Sequence, residues 1–228
     1  MSKVPLIEIK DVNKSFKGRS ILENINFSIF EKDFISVSGP SGSGKTTLLN
    51  ILSCFEFPET GEYYYKGEKI VFKKNKHLIK TDFGFIFQNY NLIPGYTAKE
   101  NIALPFHYQN INNEIIEKID GENKALFNKL GINNIINENV ENLSGGEKQR
   151  VAIGRALIKK PKIIFADEPT GNLDQENKKI VLNLLKSLNE ELGIAIIIVT
   201  HDSYVSSFTK KAYYIKEKHI YAQKKKSK

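Results

Sequence analysis

Phe34-Ile-Ser-Val-Ser38 runs without a break into Gly39-Pro-Ser-Gly-Ser-Gly-Lys-Thr46, and Thr47-Leu-Leu-Asn-Ile-Leu-Ser-Cys-Phe55 follows. The stretch FISVSG at 34 to 39 reads as a buried strand that ends on glycine. From Lys45 onward, Leu48, Leu49, Leu52 and Phe55 recur at helical spacing, which predicts a helix. Between the two, GPSGSGKT fits GxxxxGK[ST] in the strand-turn-helix setting that this pattern needs. Gly39, Gly42 and Gly44, with Pro40, Ser41 and Ser43 between them, let consecutive backbone N–H groups turn inward around a phosphate. The helix N-terminus adds partial positive charge. Lys45 is expected on the outer phosphates and the Thr46 hydroxyl on Mg2+, with Thr47 beside them among the nucleotide-binding positions.

Outward from this loop, strand-like and helix-like segments alternate. VPLIEIKDV at 4 to 12 and SILENINFSIF at 20 to 30 precede it as strands, and EYYYKGEKIVF and FGFIFQ follow as strand-like pieces. From Thr97 to about Lys129 the chain turns helical, Asn-rich and polar, the character of a subdomain. A helix to about Lys159, the strand KIIFAD, a helix from Gln175 to about Leu192 and the strand IAIIIVT complete the alternation. Such an order predicts an α/β fold with a largely parallel sheet covered on both faces.

Composition narrows the setting. The chain has 228 residues, 40% of them hydrophobic, enough for one core with a smaller insert. Cys54 is the only cysteine, which excludes disulfide frameworks within the chain and reads as a small buried hydrophobe in a cytoplasmic protein. MSKVPLIEIKDV lacks a signal-peptide pattern, and IAIIIV at 194 to 199 is far too short to span a bilayer. The net charge of +8 lies in scattered lysines and the tail Lys224 to Lys228, with no basic stripe interleaved with aromatics, so no nucleic-acid partner is expected. The tail is either a solvated terminus or a contact with anionic lipid.

A second acidic motif fits the first. Lys162-Ile-Ile-Phe-Ala-Asp-Glu168 is an apolar strand ending in two carboxylates, which a parallel sheet brings beside the phosphate loop. Asp167 can hold Mg2+ through water, leaving Glu168 to polarise an attacking water. IAIIIVT ends similarly at His201-Asp202, where His201 is either a surface cap or a hydrogen-bond partner of the γ-phosphate. His77, His107 and His219 have no such setting and read as surface residues. Gln88, closing FGFIFQ before the middle region, can offer its carbonyl to Mg2+ or to the attacking water.

Leu143-Ser-Gly-Gly-Glu-Lys-Gln-Arg150 carries a capping box, Ser144 with Glu147, yet also two adjacent glycines, each costing up to about 1 kcal/mol in a helix. Either something approaches the backbone closely there, or the pair is incidental.

GPSGSGKT, Gln88, LSGGEKQR, IIFADEP and His201, in this order, resemble the nucleotide-binding subunit of ABC transporters, over about residues 4 to 220. The resemblance implies an ATPase core (about 1–88 and 156–228) with an antiparallel β edge, and a helical subdomain (about 89–155). It implies two copies arranged head to tail, each ATP lying between one copy's phosphate loop and the other's Ser144, Gly145, Gly146 and Glu147, with bare N–H groups at Gly145 and Gly146 and the Ser144 hydroxyl beside them for its γ-phosphate. Phe16 falls where the family stacks an aromatic on adenine, a strand-end or core phenylalanine being the alternative. Asp174, in Gly171-Asn-Leu-Asp174, matches the loop through which the copies communicate, or else is a plain helix cap. FIFQNYNLIPGYTAKENIALP and DEPTGNLD are similar to the branch serving macrolide and antimicrobial-peptide exporters and lipoprotein-releasing complexes. The implied function is ATP hydrolysis powering a separate membrane-spanning permease at the cytoplasmic face of the membrane, touched mainly through Tyr90 to Pro105, subdomain core being the alternative for the aromatics and aliphatics of that stretch. A cell-division-type ATPase that regulates a membrane partner without transport shares the same motifs.

Overall fold

The computed structural model describes residues 4–71, 81–109 and 113–223. His77, the side chain of His107 and the tail Lys224 to Lys228 lie outside the described residues. The chain opens with β1 (Ile7–Phe16), β2 (Arg19–Ile29) and β3 (Phe34–Ser38), then α1 (Lys45–Leu52). The hairpin β4 (Thr60–Tyr65) and β5 (Glu68–Lys69) and the strand β6 (Phe83–Ile86) precede a helical stretch. That stretch holds α2 (Ala98–Ala103), a 3-10 turn (Leu104–Gln109), α3 (Asn113–Leu130) and α4 (Gly145–Leu157). The chain then runs through β7 (Ile163–Asp167), α5 (Gln175–Leu192), β8 (Ala195–Val199), α6 (Ser203–Phe208), β9 (Lys211–Lys216) and β10 (His219–Gln223).

Six strands form the central sheet in the order β10-β9-β3-β8-β7-β6, and only β10 is antiparallel to its neighbour. Alternation with period two sorts its side chains between two cores. Ile35, Val37, Ile163, Phe165, Ile197 and Val199 face one side, where α1 and the antiparallel sheet β2-β1-β4-β5 cover them. Phe34, Ile164, Ala166, Ile196 and Ile198 face the other, under the helices. There Val181, Leu182, Leu185 and Leu188 of α5 and Val151, Ile153 and Leu157 of α4 are buried in one cluster with Ile102 and Phe127. Each such side chain fully withdrawn from water contributes roughly 1.5–3 kcal/mol. Close packing of α4 on β6 requires Gly84, where a Cβ would lie 2.6 Å from the Ala156 carbonyl oxygen.

The α/β fold, the mostly parallel sheet and the antiparallel edge agree with the sequence reading, and several details differ. EYYYKGEKIVF folds as a hairpin, because Lys66 and Gly67 both adopt left-handed φ (50° and 83°) and turn the chain between β4 and β5. β1 continues past Val12 to Phe16, and α1 stops at Leu52, with Cys54 at φ 60°. Phe55 therefore lies beyond α1 and is half exposed, its ring against Phe85. His219 is half-buried on the edge strand β10, with Nδ1 2.9 Å from the Glu23 carbonyl oxygen. Burial pushes the Cys54 thiol up to about 11, which keeps it protonated at neutral pH.

Candidate active site

The phosphate loop leaves β3 and enters α1 through glycines that other residues could not replace. A Cβ at Gly39 would lie 2.7 Å from the Ile215 carbonyl oxygen, and Gly44 sits at φ +98° with Ile21 and Leu22 3.0 Å from where its Cβ would be. Gly44 is the N-cap of α1, with no side-chain cap, so the first-turn N–H groups remain available to an anion. Ser43 Oγ is buried without a hydrogen-bond partner. Lys45 is buried, and its Nζ donates to the Gly39 and Pro40 carbonyls at 3.0 and 2.9 Å, folded back over the loop. An uncapped helix start, an orphan hydroxyl and a cation parked on backbone oxygens fit a bound phosphate.

Strands β3 and β7 are not neighbours; β8 lies between them. Their ends nevertheless meet, since the Thr46 hydroxyl donates to Asp167 Oδ2 at 3.2 Å. Burial above all, and then the neighbouring Glu168 carboxylate, raise the Asp167 pKa, against the opposing Thr46 hydrogen bond and Lys45 charge. A divalent cation between Thr46 and Asp167 would relieve that penalty. Among the described residues no group of three or more His, Cys, Asp or Glu gathers as a metal cage. One carboxylate and one hydroxyl suit Mg2+, which keeps waters and shares phosphate oxygens.

Glu168 has a left-handed backbone, φ 47°, and its N–H donates to the Val199 carbonyl at 2.9 Å. Its carboxylate is held on both oxygens: the Thr200 hydroxyl donates to Oε2 at 3.1 Å, and the His201 N–H donates to Oε1 at 2.9 Å. His201 Nδ1 lies 2.7 Å from the same Oε1. Thr200 carries no motif that sequence reasoning could have singled out.

Three loops come together at the other candidate residues. Asn172 Nδ2 donates to the Gln88 carbonyl at 2.9 Å and to Asn89 Oδ1 at 3.2 Å. A Cβ on Gly171 would lie 3.1 Å from Gln88 Nε2. Ser144 caps α4 and forms the predicted box with Glu147, whose pKa the Ser144 hydroxyl and N–H lower. Asp174 caps α5 and accepts from the Asn177 N–H at 2.8 Å. The nearest neighbours of Gly145 and Gly146 belong to Tyr90, Leu173, Asn177 and Arg150, not to the phosphate loop. Phe16 ends β1 half-exposed with Lys14 Nζ 5.0 Å over its ring, so it is not a core residue. Asn172 stands inside the GNLD stretch and was legible there, and Tyr90 opens the expected permease contact; Asn177 was not legible.

A glycine loop at one strand end, facing a hydroxyl-bonded carboxylate and a held second carboxylate, defines a phosphate-loop nucleoside triphosphatase. The chain belongs to the ABC transporter family, whose description matches residues 22–171. As a member it is an ATPase that uses ATP with Mg2+. It is 38% identical to the bacitracin export ATP-binding protein BceA of Halalkalibacterium halodurans, over 96% of this chain and 88% of that one. It is 38% identical to the macrolide export ATP-binding/permease protein MacB of Syntrophobacter fumaroxidans over 93% of this chain, which spans only 30% of that longer protein. The fold superposes with a TM-score of 0.81, at 36% identity and 96% and 98% coverage, on the Methanocaldococcus jannaschii cassette MJ0796 in a dimeric post-hydrolysis state bound to ADP and Pi. No helix among the described residues is long and apolar enough to cross a membrane.

Proposed function

We propose that this chain is the energy-coupling subunit of an exporter, working as a head-to-tail pair at the cytoplasmic face of the membrane against a separate permease. The observation that carries the reading is the placement of the Ser144 turn. It is solvent-facing at Ser144, and its glycines neighbour Tyr90, Leu173 and Asn177 rather than Lys45 and Thr46. A nucleotide on this chain's phosphate loop is then met by such a turn from a second copy.

In this reading Phe16 stacks on the adenine. The uncapped first turn of α1 and Lys45, released from the Gly39 and Pro40 carbonyls, hold the phosphates. ATP supplies the scissile phosphoanhydride, and Mg2+ neutralises its charge. Thr46, Asp167 and Gln88 hold the metal. Glu168 accepts a proton from the attacking water, its carboxylate kept in place by Thr200 and His201. His201 also senses the γ-phosphate, and the Gly171–Asp174 loop faces the partner copy. Contacts made only with intact ATP stabilise the closed pair, so hydrolysis lets it reopen.

Residues 89–155 act as the helical subdomain that passes closure to the permease, and residues 1–88 with 156–228 as the core. Ile93 and Tyr96, both substantially exposed, support Tyr90 to Pro105 as the permease contact. Phe55 and Phe57 add exposed rings, and Phe55 continues through Phe85 to Phe87, next to Gln88. The likeness to BceA and MacB supports export of a peptide, macrolide-like or lipidic substrate, whose contacts belong to the permease. The test is size-exclusion chromatography of Glu168→Gln with Mg2+ and ATP beside wild-type turnover. A stable pair that does not hydrolyse ATP is expected; a monomer, or wild-type hydrolysis, sinks the reading.

A further inference from the structure

The adjacent glycines of the LSGGE turn differ in surroundings. Gly145 is half-buried, but Gly146 is buried. A Cβ on Gly146 would lie 2.3 Å from Asn177 Oδ1 and 2.8 Å from Asn177 Cγ, separations that no packed side chain tolerates. The obstruction comes from the first turn of α5 in the same chain.

Asn177 has little room to swing away. Its N–H donates to Asp174 Oδ1 at 2.8 Å and its Nδ2 donates to Asp174 Oδ2 at 2.7 Å. A carboxylate only accepts, so the amide nitrogen must face Asp174 and the amide oxygen is left facing Gly146. The neighbouring contacts run the same way. Leu173 Cδ2 lies 3.7 Å, and Tyr90 Oη 3.1 Å, from the Cβ position of Gly145. Asn172 meanwhile ties the Gly171–Asp174 loop to the backbone of Gln88.

We infer that Asn177 is a positioning residue that locks the Ser144–Gly146 turn to the Asp174 loop within one chain, and that Gly146 is glycine because Asn177 fills the space a Cβ there would need. The two elements that the proposed function turns toward a second copy are thereby held as one rigid unit. The inference rests on that reading for its functional consequence, but not for its geometry.

The experiment compares Gly146→Ala, Asn177→Ala and the double variant in three measurements: ATP affinity of the monomer, ATP-driven pairing in a Glu168→Gln background, and the melting temperature without nucleotide. Gly146→Ala is expected to weaken pairing about tenfold and lower the melting temperature, with monomer ATP affinity unchanged. Removing the Asn177 side chain as well should restore both to the level of Asn177→Ala alone. Asn177→Ala alone should weaken pairing several-fold at unchanged monomer affinity, because the turn and loop are no longer fastened. A Gly146→Ala defect that persists undiminished in the double variant would overturn the inference; so would a harmless Gly146→Ala. Were the Glu168→Gln chain not to pair at all, the proposed function would fail, while melting of the single and double variants would still decide the Gly146–Asn177 contact.

Discussion

Glu168 and His201 are joined twice through one oxygen: Glu168 Oε1 accepts the His201 backbone N–H at 2.9 Å and lies 2.7 Å from His201 Nδ1. The backbone of Glu168 is left-handed at φ 47°, a conformation that costs a non-glycine residue on the order of 1–3 kcal/mol. The conformation is offset by the bond from its N–H to the end of β8 and by the Thr200 hydroxyl on its second oxygen. The fold spends stability to aim this carboxylate.

Two substitutions separate aiming from chemistry. Glu168→Gln keeps an oxygen for the His201 N–H, so ATP binding and melting should stay near wild type while turnover falls by about 10² or more. His201→Ala removes the Nδ1 contact but not the backbone bond, so a smaller fall in kcat, on the order of 10-fold to 100-fold, is expected at similar ATP affinity. Steady-state hydrolysis with parallel nucleotide titrations checks both; equal turnover in wild type and Glu168→Gln removes Glu168 from the base role.

Asp167 carries a pH signature. Burial, followed by the Glu168 charge, raises its pKa despite the Thr46 bond and Lys45. The folded chain then binds this proton more tightly than the unfolded chain, so stability falls as pH rises from the ordinary aspartate range through the raised value, and stays lower at neutral pH. Asp167→Asn should therefore melt above wild type at neutral pH without nucleotide, with the gap closing in acid, and its ATP affinity should respond less to Mg2+. Thermal melts across pH and Mg2+ titrations decide it; a variant that melts below wild type at neutral pH contradicts the penalty.

Local chemistry was the legible part of this chain. GPSGSGKT predicts a phosphate-binding helix start because glycine and a following helix are neighbours in sequence, and IIFAD predicts its strand because a short continuous apolar run is a local signal. What stayed hidden depends on distant partners. That β8 separates β3 from β7, yet lets Thr46 reach Asp167, is a property of strand order and not of any segment. β9 and β10 lack a motif, and the break at Lys66-Gly67 competes with a run of strand-forming residues around it. Gly146 is the sharpest case: nothing in LSGGE shows that the space its missing Cβ would need is filled by Asn177, about thirty residues further along the chain.

Gln149 is fully buried in α4, and neither its Nε2 nor its Oε1 has a hydrogen-bond partner among the described residues. An amide withdrawn from water without partners costs about 1–3 kcal/mol. Gln149→Leu, which keeps the volume and drops the polar atoms, should stabilise the nucleotide-free chain by roughly that amount. Denaturant unfolding at constant m-value measures it. A loss of stability instead would mean that the amide is satisfied by an ordered water in solution.

Arg155, in the last turn of α4, donates through Nη2 to the Tyr90 carbonyl at 2.5 Å and through Nη1 to the Asn91 carbonyl. Tyr90 and Asn91 both sit at left-handed φ, 59° and 49°, with only Asn89 between them and Gln88. One guanidinium thus holds two strained residues against the helix whose other end is the Ser144 turn. Burial lowers its pKa to about 10, so it remains charged at neutral pH and its bonds to the two carbonyls are charge-assisted. Arg155→Met keeps most of the packing and removes both donors, which should destabilise the chain by about 2–4 kcal/mol. Arg155→Lys should recover part of this, since an ammonium can reach one carbonyl but lacks the planar fork for two. With the Tyr90–Asn91 turn freed, Gln88 loses its fixed approach to the site. Turnover should therefore fall further in Arg155→Met than in a variant of equal stability altered elsewhere in the core. Matched melting and hydrolysis measurements on the two variants separate the effects, and equal activity at equal stability would leave Arg155 with a packing role alone.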